Sequence, residues 1–330
     1  MNLLINYELF LSKIITWIII SAFILILFNT IKKNKIKNKL KITLLDNDYK
    51  KIKNNILLSK MTKSEKKIWQ KKEKNRNNKK TYKNKTLYIL DFKGDVYANQ
   101  VIGLREEISA ILSVAEKDDA VLVRLESSGG VIHGYGLAAS QLNRLRQKGI
   151  YLIVSVDKIA ASGGYMMACV ANYIISAPFA IIGSIGVVGQ IPNFNKLLKK
   201  YNIDVELHTA GDYKRTLTMF GNNTEENRNK FCEELNITHT LFKNFIKDMR
   251  PNLNIEDVSN GEHWFGTIAL KKKLVDQIGT SDDILLSKME KYNLLNIKYT
   301  YNTKISERLA KIFLNKVETF LLKIFFYKHY

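Results

Sequence analysis

From Thr86 to Ser176 short, mostly apolar segments alternate with stretches of helical spacing, and few folds accept that rhythm. Leu87 to Phe92 (L-Y-I-L-D-F), Ala120 to Leu125, Tyr151 to Val156 and Tyr173 to Ser176 read as buried strands. Between the first two, Gln100 to Glu116 places Val101, Leu104, Ile108, Ile111 and Leu112 on one helical face, and a second helix is expected from about Val131 to Gln147. Strands too apolar to face water on either side, joined by helices, imply right-handed βαβ units and a mostly parallel sheet. The expectation is one α/β domain.

Within that rhythm the sharpest turn is V-D-K-I-A-A-S-G-G-Y, Val156 to Tyr165. An apolar strand enters a small-residue turn with Ser162 at its crest, followed by two glycines and the helical M-M-A-C-V-A. A strand-turn-helix elbow of this kind exposes a hydroxyl and aims the next backbone N–H groups at whatever the hydroxyl attacks. Small Gly/Ser turns also open α/β helices that cradle phosphate or merely turn tightly.

Upstream, Ile14 to Ile31 is an uncharged run long enough to cross a bilayer once it is extended back through Leu9, with Lys13 snorkelling. No A-x-A-like site follows, so an uncleaved anchor is expected rather than a removed signal peptide. The net charge of +21 would suggest a nucleic-acid partner if it were spread over a surface. Residues 31 to 85 hold 21 Lys and Arg against four Asp and Glu, so 17 of those charges lie there, with only Tyr49, Trp69 and Tyr82 as aromatic company. No nucleic-acid groove is expected from that pattern. The lysines after the apolar run would place the body of the protein in the cytoplasm by the positive-inside rule.

Downstream, Cys169 to Gln190 is a second uncharged run, but Pro178 and glycines 183, 186 and 189 interrupt it and point to buried strands and turns. A basic helix is expected over Asn195 to Tyr201, a strand over Val205 to Thr209, and a long amphipathic helix over Thr224 to Met249. Glu256 to Gly279 reads as a short helix and a strand-like L-V-D-Q-I, and Ile305 to Phe326 as a basic amphipathic helix. The organisation expected is a flank (1–8), an anchor (9–31), a lysine-rich extension and linker (32–85), the α/β domain that carries the elbow (86–290) and a strand-plus-helix tail (291–330). Cys169 and Cys232 have no partners at metal-ligand spacing, and neither metal nor cofactor is expected.

A serine nucleophile needs a base, and the sequence offers three candidates. His133, with Asp157, would complete a triad, but Asp157 ends the strand that carries the elbow. Lys158 is too near Ser162 in the chain to face it. Lys214 lies in H-T-A-G-D-Y-K-R-T, and a lysine serves as general base when an apolar site favours its neutral form. Donors for a developing oxyanion are available at Gly163, directly after Ser162, and at the Gly129-Gly130 turn.

L-E-S-S-G-G, V-D-K-I-A-A-S-G-G-Y, I-I-G-S-I-G-V-V-G and A-G-D-Y-K-R-T occur in one order, and together they resemble the signal peptide peptidase A (S49) family of membrane serine proteases over Thr86 to Asp283. The resemblance implies a ClpP/crotonase-like spiral of βαβ units behind an N-terminal transmembrane helix. It implies a membrane-anchored serine endopeptidase with a Ser-Lys dyad: Ser162 as nucleophile, Lys214 as general base and acid, Ser184 orienting that lysine, and Gly129 and Gly163 at the oxyanion. Peptide or protein substrates, a lipid bilayer and a homo-oligomer follow as partners. The location implied is the bacterial inner membrane with a periplasmic active domain, against the cytoplasmic side favoured by the lysine flank. One position departs from the family: S-P-G-G is usual where this chain has Ser127-Ser128-Gly129-Gly130, so a stiffening proline is missing. A silent membrane scaffold of the same fold and a crotonase-like acyl-CoA enzyme are the competing readings.

Overall fold

The computed structural model describes residues 21, 39–77, 85–211 and 213–300. The chain divides into a compact unit, Leu40–Tyr299, and a second unit, Met1–Lys39 with Thr300–Tyr330, which lies almost entirely outside the described residues. The expected anchor over 9–31 and the tail helix over 305–326 fall in the second unit. Among the described residues no helix is long and apolar enough to cross a membrane.

Strand β1 (Lys39–Leu44) leads into helices α1 (Leu45–Ser59) and α2 (Lys63–Asn77), then strand β2 (Lys85–Lys93), helix α3 (Val101–Val114), strand β3 (Ala120–Glu126), helix α4 (Ile132–Gln147) and strand β4 (Tyr151–Val156). Strand β5 (Ile159–Ala161), helix α5 (Gly163–Ala168), and strands β6 (Tyr173–Ser176) and β7 (Ile181–Gly183) follow. The remainder is α6 (Asn195–Lys200), α7 (Glu225–Met249), β8 (His263–Phe265), α8 (Gly266–Lys271), β9 (Gln277–Ile278), α9 (Ser281–Lys288) and β10 (Tyr292–Thr300). The main sheet runs β1-β10-β2-β3-β4-β6-β9, with parallel pairing from β10 through to β9. A smaller sheet, β5-β7-β8, joins β5 to β7 in parallel and β7 to β8 antiparallel.

Alternate residues of the central strands feed two cores. Tyr88, Leu90 and Phe92 of β2 and Val121, Val123 and Leu125 of β3 pack with Leu104 and Ile108 of α3 and with Tyr135 and Leu142 of α4. Leu87, Ile89 and Leu122 point the other way, toward Ile284 and Leu285 of α9. Helices on both faces are why these strands carry so little polarity. Helix α7 starts where Thr224 accepts the Asn227 N–H, as an N-cap should.

The expected strand Val205–Thr209 does not form: these residues are exposed and hold no ladder position. Their V-E-L-H-T alternation is strand-like, but a strand needs a partner edge, and no sheet edge takes this segment. Strand β10 joins the sheet beside β2, pairing Leu294 with Leu87 and Asn296 with Ile89.

Glu107 of α3 is buried beneath β10, and its carboxylate accepts the Tyr299 N–H at 2.6 Å. Burial, only partly offset by that bond, pushes its pKa from 4.5 up to about 7. The unfolded chain therefore releases this proton before the folded chain does, and stability falls as pH rises between those values and levels off above them. The loss is at most about 3 kcal/mol. Glu107→Gln keeps an acceptor for Tyr299 and has no charge to bury. It should raise the melting temperature at pH 8 and leave it nearly unchanged at pH 4; an equal shift at both would refute the assignment.

Candidate active site

Ser162 stands between β5 and α5. Its backbone has φ +52° and ψ −119°, a conformation that costs a non-glycine residue about 1–3 kcal/mol unless its surroundings impose it. They do so here. The Ser162 N–H donates to the Gly183 carbonyl at 2.8 Å, where Ala161 and Gly183 end the paired β5 and β7. Its own carbonyl accepts from the Met166 N–H, which locks it to the first turn of α5. The side chain is half-buried.

A cavity of about 640 Å³ opens at this point. Ser162, Gly163, Ser184 and the Ser128–Val131 turn line it, together with Val96, Ile132, Met166, Val188 and Phe242. No ionisable side chain is among the described residues that line it. The wall is thus apolar, with hydroxyls and backbone amides as its polar features. Ser184 also has a positive φ, +52°, and its N–H donates to the Glu262 carbonyl at 2.7 Å.

The turn facing Ser162 is laced to the elbow. Ser127 N–H donates to the Ile159 carbonyl and Ala161 N–H donates to the Ser127 carbonyl, at 2.8 and 3.0 Å. Gly129, at φ +90°, approaches so closely that a Cβ there would lie 2.8 Å from both Gly163 N and Ser162 Cβ. The Gly129 N–H, a donor expected from sequence, donates to Ser127 Oγ at 3.0 Å. The Gly130 and Gly163 N–H groups make no hydrogen bond to the described residues. Gly130 was a weaker signal in the sequence, visible only as the second glycine of the pair.

Ser162, Ser184, Gly129 and Gly163 therefore meet in one place, and Lys214 does not join them. Lys214 is exposed and absent from the cavity wall. It sits in an irregular segment whose Ile203, Val205, Leu207, Tyr213 and Phe220 are also exposed. The other candidate bases are elsewhere: His133 is exposed and outside the cavity, and Lys158 reaches toward Glu126 at 3.3 Å. Asp157 accepts the N–H and hydroxyl of Ser281 at 2.8 and 2.6 Å, which commits it to α9. Burial pushes the Cys169 thiol up and keeps it an inert core group.

A serine held in a strained turn at the head of a helix, over an apolar cleft beside a parallel sheet, is the arrangement of a nucleophile elbow. Models of two parts of one family match the chain, peptidase family S49 N-terminal over residues 2–142 and peptidase family S49 over residues 144–295. The chain belongs to peptidase family S49, and it is a serine peptidase. It is 76% identical over 340 residues to a probable protease SohB of Buchnera aphidicola subsp. Acyrthosiphon pisum, with all of both chains covered. A probable protease SohB of Haemophilus influenzae is 57% identical over 225 residues, covering 68% of this chain and 64% of that one. Among solved structures, a mutant 1510-N membrane-bound stomatin-specific protease in complex with a substrate peptide aligns at TM-score 0.40 and 18% identity, over 62% of this chain and 80% of its own.

Proposed function

We propose that this peptidase is a membrane-anchored endopeptidase of ClpP/crotonase-like fold that works through a Ser-Lys dyad. The carrying observation is Ser162, strained and half-buried in an apolar cavity beside two amides that have no partner among the described residues. In this reading Lys214 takes the Ser162 proton as Oγ attacks the scissile carbonyl. The developing oxyanion is held by the Gly163 and Gly130 N–H groups, while Gly129 contributes its positive φ and close approach. Lys214 then protonates the leaving amine as the C–N bond breaks. It next takes a proton from water, which attacks the acyl-serine and frees the second product. Ser184 orients the lysine.

The exposure of Lys214 has a consequence. Its segment must pack against protein to bring an amine to Ser162, and the exposed apolar side chains around it supply the surface for a second copy. The dyad is accordingly completed between subunits of a homo-oligomer. Anchoring rests on the uncharged run Ile14 to Ile31, which suits a bacterial inner membrane with the side left open. The acyl-CoA reading lacks support, because that chemistry wants a carboxylate at the thioester and the described cavity wall has none.

A serine-reactive fluorophosphonate, followed by peptide mapping, tests this reading. Label should appear on Ser162 of the wild-type protein and be lost in Lys214→Ala. Co-assembly of Ser162→Ala with Lys214→Ala chains should restore part of the labelling, because a site that keeps Ser162 then borrows Lys214 from a neighbouring Ser162→Ala chain. Label on a different serine would overturn the nucleophile, persistence in Lys214→Ala would overturn the base, and no recovery on mixing would return the lysine to its own chain.

A further inference from the structure

The Gly129-Gly130 turn has no Cβ to restrain it, and Ser128 stands where the family resemblance expects a proline. Something else must hold its peptide planes. Four groups in a row do so. The Gly129 N–H donates to Ser127 Oγ at 3.0 Å, Ser127 Oγ and Tyr135 OH lie 2.5 Å apart, and the Tyr135 hydroxyl donates to the Asp95 carbonyl at 2.7 Å.

The direction of this chain is fixed by elementary accounting. A carbonyl only accepts, so the single phenolic proton of Tyr135 goes to Asp95. Ser127 must then donate its own proton to the Tyr135 oxygen, which leaves its lone pairs facing the Gly129 amide. Both side chains are sealed from water, Tyr135 at 0% and Ser127 at 1% exposure, so neither hydroxyl has a solvent alternative. Burial also pushes the Tyr135 phenol up, keeping its proton in place.

The other end of the same tyrosine reaches the second amide. A Cβ on Gly163 would overlap the Tyr135 ring at Cγ, and would lie 2.7 Å from Cδ2 and 2.8 Å from Cβ. The ring therefore lies flush against the residue that follows Ser162. One side chain braces Gly163 with its body and, through Ser127, the Gly129-Gly130 turn with its tip.

We propose that Tyr135 and Ser127 are positioning residues for the oxyanion hole, a buried hydroxyl relay that supplies the rigidity a proline at position 128 would otherwise give. The inference rests on the reading of Ser162 as nucleophile and of the Gly130 and Gly163 amides as oxyanion donors. The relay touches no substrate. It acts by fixing the Ser128–Gly129 peptide, whose N–H it binds, so that the Gly130 amide one link further on is carried from a set plane before the oxyanion forms.

Tyr135→Phe removes one oxygen and keeps the ring, and Ser127→Ala removes the other hydroxyl. Each should lower kcat about tenfold with KM changed less than about twofold, because an amide that serves the oxyanion matters in the transition state and not in substrate binding. Affinity for a peptide aldehyde, whose hemiacetal adduct carries that oxygen, should fall by the same factor. The double variant should be no slower than either single one, since both remove the same relay. Melting curves followed by circular dichroism identify folded variants, and if Tyr135→Phe does not fold, Ser127→Ala carries the same expectations.

An unchanged kcat, a loss that appears in KM, or a double variant about a hundredfold slower would overturn the relay. Failure of the underlying reading looks different. In that case the wild-type protein itself carries no fluorophosphonate on Ser162, whatever the variants do.

Discussion

Ser162→Ala should reduce peptide cleavage by a factor of about 10⁴ or more while the protein stays folded. The size of the effect follows from what remains. Without the hydroxyl there is no acyl intermediate on the elbow, and the cavity wall has no ionisable group among its described residues to activate water or the hydroxyls of Ser128 and Ser184 instead. The amides of Gly130 and Gly163 would still polarise a bound carbonyl, so a residual rate above that in water is expected from them alone. Alanine fits the half-buried position and meets the same backbone strain as serine, so substrate binding and thermal stability should change little. Steady-state cleavage of a quenched peptide and a melting curve measure both. Retention of more than about a hundredth of wild-type activity would remove Ser162 from the chemistry.

Arg250→Ala should destabilise the fold by about 3 kcal/mol, the largest stability loss we expect from a single substitution outside the apolar core. Arg250 ends α7 and sets its guanidinium bidentate on Asp276, at 2.7 and 2.8 Å, with a further bond to the Lys273 carbonyl. Asp276 in turn accepts the Ile174 N–H of β6 at 2.7 Å, so the pair fastens a long helix to the far part of the sheet. The side chains are only 13% and 26% exposed, which limits solvent screening and leaves a stranded carboxylate when the arginine is removed. Lysine lacks the planar fork and should recover less than half of the loss. Urea unfolding resolves the difference, and a change below about 1 kcal/mol would show that solvent screens the pair.

Much of the fold could be read from residue order, because its central elements are local statements. The burial of Ala120–Glu126 and Tyr173–Ser176 follows from their own composition, and the spacing of Leu104, Ile108 and Ile111 specifies a helix before any partner is known. The Ser162 turn was legible for a similar reason, since small residues are needed wherever backbone comes within van der Waals reach of backbone. What the sequence concealed was long-range. That Val205–Thr209 finds no edge depends on which edges the sheet leaves open. That the Gly129 amide is already occupied depends on a tyrosine in an ordinary G-Y-G helical stretch, and on a hydrogen bond that crosses from Tyr135 to Asp95. Lys214 stands apart from the Ser162 cavity within the described chain, and the order of motifs along a sequence does not give their distance in space.

The parallel pairing of β10 with β2 also sets a clock. Roughly 200 residues separate the two strands, and a ribosome adding about 5–20 residues per second needs roughly 10–40 s to make that length. For that interval the newborn chain presents the β2 edge, Lys85–Lys93, with its ladder partner still unmade. The amino-terminal half must therefore wait for β10, and any factor that shields a nascent edge during synthesis has a long opportunity at β2.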